Sequence, residues 1–162
     1  MNYPLSKLKP MLTATLVAAA LCSPNAASAN EVNEMLSELR DATAKYHNFD
    51  QALIDGYVDI GLCIPFMGWH FLNFAVLDGT FEHTQPEALV YAPNKQGKMK
   101  LVAAEYIVPG DPAVAPEGYP GDDDHWHYIN DIGSWTLHAW VWSHNSDGMF
   151  ADTNPKVDAG CN

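Results

Sequence analysis

Residues 134–148 read SWTLHAWVWSHNSDG, a strand-like run with three tryptophans and two histidines that ends in a turn. Taken as a strand over 134–142, it points Trp135, Leu137, Ala139 and Val141 to one side and Thr136, His138, Trp140 and Trp142 to the other. Both sides are largely apolar. A strand of that kind lies inside a sheet and is covered on both faces, so His138 is expected to be buried and to need partners for its ring nitrogens. A core histidine hydrogen-bonded to backbone or carboxylate meets that need, and so does a metal ligand.

The neighbouring residues offer two partner sets. HWHYIN at 125–130 precedes a turn at Asn130-Asp131-Ile132-Gly133. Pairing Asn130 with Gly133 puts His127 opposite Thr136 and His125 opposite His138, a three-histidine face that a slip of one residue destroys. The second set takes His70 from MGWH and Glu105 from LVAAEYIV. A carboxylate between Ala104 and Tyr106 is costly in so apolar a strand unless a metal ion or a protonated histidine answers it. His70, Glu105 and His138 supply two imidazoles and one carboxylate, the donors of open mononuclear zinc and non-haem iron sites. Without a metal, the same residues make a buried ion pair. His144 cannot join His138 on one ion, because six residues of strand span roughly 20 Å. It belongs to the turn 144–148, which is no EF-hand: Ser143 and Asn154 stand where carboxylates are required.

Further out, ALVYAP and KMKLVAAEYIVP flank Asn94-Lys95-Gln96-Gly97 as a hairpin, and residues 71–77 read as an earlier strand. Met35, Leu39, Ala42 and Tyr46 recur at helical spacing. Asn48 with Gln51 resembles a capping box for a second helix over 49–57. The pattern predicts an α+β fold, with N-terminal helices packed on a small, mainly antiparallel sheet.

Residues 1–29 are expected to be a removed signal peptide, with Lys7 and Lys9 before the apolar stretch 11–22 and small residues up to Ala29. That leaves residues 30–162 as one α+β domain, periplasmic or secreted. The net charge of the whole chain is −12, and losing Lys7 and Lys9 makes it more acidic, which argues against nucleic acid as a partner. No stable membrane insertion is expected once the leader is removed. Of the three cysteines, Cys63 and Cys161 would remain, and an even pair in an oxidising compartment is expected to form a disulfide.

MGWHFLNFAVLDG (67–79), PEALVYAPNKQGKMKLVAAEY (86–106) and LHAWVWSHNSDGMFADTNP (137–155), with a cysteine near the end, resemble a group of small exported bacterial proteins of uncharacterised function. The group reads H-x-x-N-P, V-E-Y, L-H-x-W and H-N-P-x-G-M-F, so His70, Asn73, Glu105, His138, His144, Asn145, Gly148 and Met149 correspond. Phe74 and Ser146 replace its prolines, and Ala104 also departs from it. The resemblance implies His70, Glu105 and His138 as the shared site, with His125 and His127 a local addition. It implies no activity.

These observations lead to an exported protein that binds one transition-metal ion, copper, zinc or iron, through His70, Glu105 and His138 or through His138 with His125 and His127. Two alternatives stand beside it. One is a metal-free module that binds a small molecule in a pocket lined by Tyr57, Trp69, Trp126, Trp140 and Trp142. The other is a small metalloenzyme using an open coordination position. Met67 and Met149, each near a histidine, would suit copper.

Overall fold

The computed structural model describes residues 24–161; the apolar stretch 11–22 and the basic residues before it lie outside them. The chain begins with helix α1 (Pro24–Thr43), passes through one 3-10 turn (Ala44–His47) and forms the short helix α2 (Phe49–Ile54). Six strands follow: β1 (Val58–Ile64), β2 (Gly68–Leu72), β3 (Ala88–Pro93), β4 (Met99–Pro109), β5 (His127–Ile129) and β6 (Ser134–Ala139). They form one antiparallel sheet in the order β1-β2-β3-β4-β6-β5. The fold is thus mixed helix and antiparallel sheet.

Alternation along the strands divides the core between the two faces. Leu36 and Leu39 of α1 are buried in one cluster with Ala104, Tyr106, Leu137 and Ala139. Tyr46 and Ala52 join Phe71, Leu89, Tyr91 and Leu101 in a second. Tyr91 donates a 2.8 Å hydrogen bond to the carbonyl of Tyr46, and Trp142 one of 3.0 Å to Thr43 Oγ1. A third cluster gathers Val90, Ala92, Val102 and Trp140 with Val157 and Ala159 of the C-terminal tail. The Cys63–Cys161 disulfide anchors that tail, and Trp69 Nε1 donates to the carbonyl of Ala159 at 3.1 Å.

Several boundaries differ from the sequence reading. Strand β6 stops at Ala139 rather than Trp142, because the Trp140 N–H leaves the ladder and donates to the carbonyl of Met149 at 2.9 Å. Helix α2 ends at Ile54, and Asn48 makes no side-chain cap; the Gln51 amide reaches Asp55 instead, at 2.7 Å. The early strand is β2, which starts three residues before the expected 71–77 and ends five before it, since the chain turns after Asn73, whose carbonyl accepts from the Val76 N–H at 3.3 Å. Strand β1 was not expected, although Val58, Ile60, Leu62 and Ile64 alternate cleanly, because Gly56 and Gly61 read as punctuation. Gly61, at φ 69°, lies within a register shift between Asp59 and Leu62, so the strand continues past it. Gly68 is required: at φ 137° a Cβ there would stand 2.6 Å from the Tyr91 carbonyl oxygen, so only glycine lets β2 approach β3 at this point.

The disulfide closes a loop of 98 residues. Replacing Cys63 and Cys161 together by serine in the chain that starts at Asn30 is expected to lower unfolding stability by about 2–5 kcal/mol. Denaturant titration measures the loss, and alkylation followed by mass spectrometry should find no free thiol in the unreduced parent.

Candidate metal centre

Three strands bring the central residues together. Glu105 pairs with His138 across β4 and β6, and with Ala88 across β4 and β3. His70 pairs with Val90 one strand further out, so it must reach across β3 to meet Glu105. The small side chain of Ala88, wholly buried between Leu72 and Glu105, leaves room for that reach. His70, Glu105 and His138 are 2%, 6% and 4% exposed, and one ligand-type atom from each lies within 4.8 Å of the others.

The separations carry chemical information. His70 Nε2 stands 3.6 Å from Glu105 Oε2, and His138 Nε2 stands 3.8 Å from Glu105 Oε1. A direct charge-assisted hydrogen bond would close to about 2.7–2.9 Å. Elsewhere in this protein such a bond does close: His83 Nε2 and Glu38 Oε2 lie 2.6 Å apart at the surface. Donors sharing one ion at about 2.0–2.2 Å stand farther apart than hydrogen-bonded atoms, as these do. Among the described residues His138 Nε2 has no hydrogen-bond partner. His70 Nδ1 lies 3.3 Å from the Leu62 carbonyl, a contact that fixes the ring and turns Nε2 inward when Nδ1 carries the proton.

Protonation equilibria run against an ion pair. Burial pushes the His138 pKa down to about 3, with the His70 ring a lesser cause, and burial also lowers that of His70. Burial raises Glu105 to about 8, helped by the neighbouring Glu87 carboxyl. A salt bridge would shift the histidines up and the carboxyl down. Both histidines are therefore neutral donors with lone pairs available, and ionised Glu105 requires a cation that no side chain among the described residues supplies here.

This group forms the floor of a cleft of about 490 Å³. Its walls are aliphatic, with Ile60, Leu62, Leu72, Leu77 and Ile107 among them. None of the five aromatics expected in a ligand pocket lines it. Trp140 is buried, Tyr57 belongs to the core, and Trp69, Trp126 and Trp142 pack against core clusters. Met67 lines the cleft, whereas Met149 is packed among core residues.

The other candidate histidines are dispersed. The register expected for the last hairpin holds, with His127 opposite Thr136, but β5 begins only at His127 and His125 has no cross-strand partner. Trp126 packs against Phe81 and the α1-side cluster, which takes the segment before it out of the ladder. His125 lines a separate surface groove with Asp122 and Asp124, while His127 is an exposed residue lining the cleft. His144 is exposed in its turn; Asn145 donates to the Thr153 carbonyl, and Asn73 donates to the Asp55 carbonyl and accepts from the Ala75 N–H. Sequence reasoning missed Glu87, buried and accepting the Ile107 N–H at 3.0 Å; its position beside Pro86 gave no strand parity to read.

No known family, curated protein or solved structure matches the chain.

The shifted groups set a pH dependence for the metal-free protein. Folded Glu105 keeps its proton up to about 8, whereas an ordinary carboxyl loses it near 4.5, so stability falls as pH rises between those values. His138 acts oppositely between about 3 and 6.5, where the unfolded imidazole holds a proton that the folded one lacks. The two oppose each other up to pH 6.5, above which the Glu105 effect continues alone apart from that of Glu87, which ends at about 7. In chelator, wild type should lose roughly 1.4 kcal/mol per pH unit relative to Glu105→Gln between about pH 6.5 and 8. Denaturant midpoints of both proteins across that range check this; parallel curves would contradict it.

Proposed function

We propose that the protein is an exported binder of one divalent transition-metal ion, held by His70 Nε2, His138 Nε2 and a Glu105 oxygen. The observation that carries this reading is the buried carboxyl with two neutral imidazoles at separations too long for hydrogen bonds and suited to a shared ion. Two nitrogens and one oxygen favour zinc or iron; copper would gain a soft donor if Met67 reached the ion. His125 and His127 stay outside this ligand set. The disulfide and the acidic composition are in keeping with an exported, soluble domain, and no helix among the described residues is long and apolar enough to cross a membrane. Three protein ligands leave coordination positions open toward the cleft, a requirement that a carrier shares with a metalloenzyme.

Protein purified without an affinity tag should carry or take up one ion per chain. Competition with a chromophoric chelator should show His70→Ala and His138→Ala losing more affinity than the roughly 10–100-fold typical of changes to outer residues. His125→Ala, His127→Ala and His144→Ala should retain stoichiometric metal. Equal loss from the His144 and His138 variants would overturn this assignment.

Bound ion should also raise the melting temperature in proportion to RT ln(1 + [L]/Kd), and Glu105→Gln should shrink the rise. Melts in chelator and then in zinc, iron or copper measure both effects. A wild-type melting temperature indifferent to every metal would end the proposal.

A further inference from the structure

The cleft has far more wall than an ion needs. Its volume, about 490 Å³, falls within the range of small-molecule sites, and the residues that line it include neither lysine nor arginine. Several large apolar side chains lining it stay open to solvent: Phe74 is 61% exposed, Ile132 55%, Leu62 43% and Ile60 40%. Such a concentration of exposed aliphatic and aromatic surface around a concave site marks a place where an apolar body binds.

The buried polar groups of the cleft are the candidate metal ligands at its floor with Ser134 and Thr136, while His127 and Asp152 line it at exposed positions. His138 Nε2, buried and without a hydrogen-bond partner among the described residues, faces Glu105 there. Behind the floor, the opposite face of β4 and β6 is filled by Ala104, Tyr106, Leu137 and Ala139, so an exogenous ligand reaches the ion only from the cleft. A divalent ion bound by two neutral imidazoles and one carboxylate keeps a net positive charge in an apolar surrounding, where an anionic oxygen ligand is strongly favoured.

We infer that the cleft takes an elongated aliphatic carboxylate, its head group completing the coordination of the ion at His70, Glu105 and His138 and its chain lying along Ile60, Leu62, Leu72 and Ile107. This rests on the metal-binding reading above. Charge complementarity selects the occupant. With no lysine or arginine in the lining, and with His127 and Asp152 both at exposed positions, the ion at the buried floor is the cation that answers the carboxylate, so recognition of the head group depends on metal and recognition of the chain depends on length.

Calorimetric titration of the full exported chain, loaded with zinc, tests this with acetate, hexanoate, octanoate and decanoate, and with 1-octanol as a neutral probe. Affinity should tighten roughly three- to fourfold per methylene until the cleft is filled. Removing zinc with chelator should weaken decanoate binding at least tenfold while leaving 1-octanol unaffected. The double variant Ile60→Asp, Phe74→Asp, at solvent-open positions, should lose decanoate binding at least tenfold yet retain zinc stoichiometry and acetate affinity. Stoichiometric zinc with no dependence on chain length, or decanoate binding indifferent to zinc, overturns the inference and leaves the metal site standing. Failure to hold zinc overturns both.

Discussion

Glu105 is a carboxyl group buried in an apolar strand at the middle of a sheet, and its neighbours do not neutralise it as a surface ion pair would. Burial, helped by the Glu87 carboxyl, keeps it protonated to about pH 8, and burial is also the main cause that strips both adjacent histidines of their charge. Three groups thus share a buried site, each in the form that suits a metal ion or awaits one. Retaining a carboxylate here costs stability in the metal-free protein, and a bound cation reverses the sign of that contribution.

The topology makes this grouping possible. Strands β2, β4 and β6 contribute one residue each, and the intervening β3 presents Ala88 where a larger side chain would separate His70 from Glu105. One face of the sheet holds the helix-side clusters, while the tail, tied down by Cys63–Cys161, packs over Val90, Ala92 and Trp140. What remains of the second face is the aliphatic cleft. Site and cleft therefore lie together on the face opposite the Ala104–Ala139 cluster, beside the part that the tail covers.

Much of this was legible in the sequence where local rules apply. The 94–97 turn between the runs ALVYAP and KMKLVAAEYIVP located β3 and β4 closely, and parity on β6 separated Thr136 and His138 from Leu137 and Ala139. The cost of an unanswered carboxylate singled out Glu105 and drew in His70 and His138. Long-range facts were less accessible. That β4 lies beside β6 and β3 beside β2 is a matter of chain topology, which spacing does not encode. His125 was misplaced because the hairpin register was right but the strand was too short to include it. The five tryptophan and tyrosine rings do not line the cleft for a different reason: large rings fill the core of a small domain, and the cleft is lined mainly by isoleucine and leucine, with Phe74 its one phenylalanine.

The most direct measurement of the central claim is diffraction from crystals of the exported chain grown with zinc, with data collected on both sides of the zinc absorption edge. The account predicts one strong anomalous peak at about 2.0–2.2 Å from His70 Nε2, His138 Nε2 and a Glu105 oxygen, on the floor of the cleft. A peak among Asp122, Asp124 and His125 instead, or none near Glu105 at stoichiometric zinc, would contradict it.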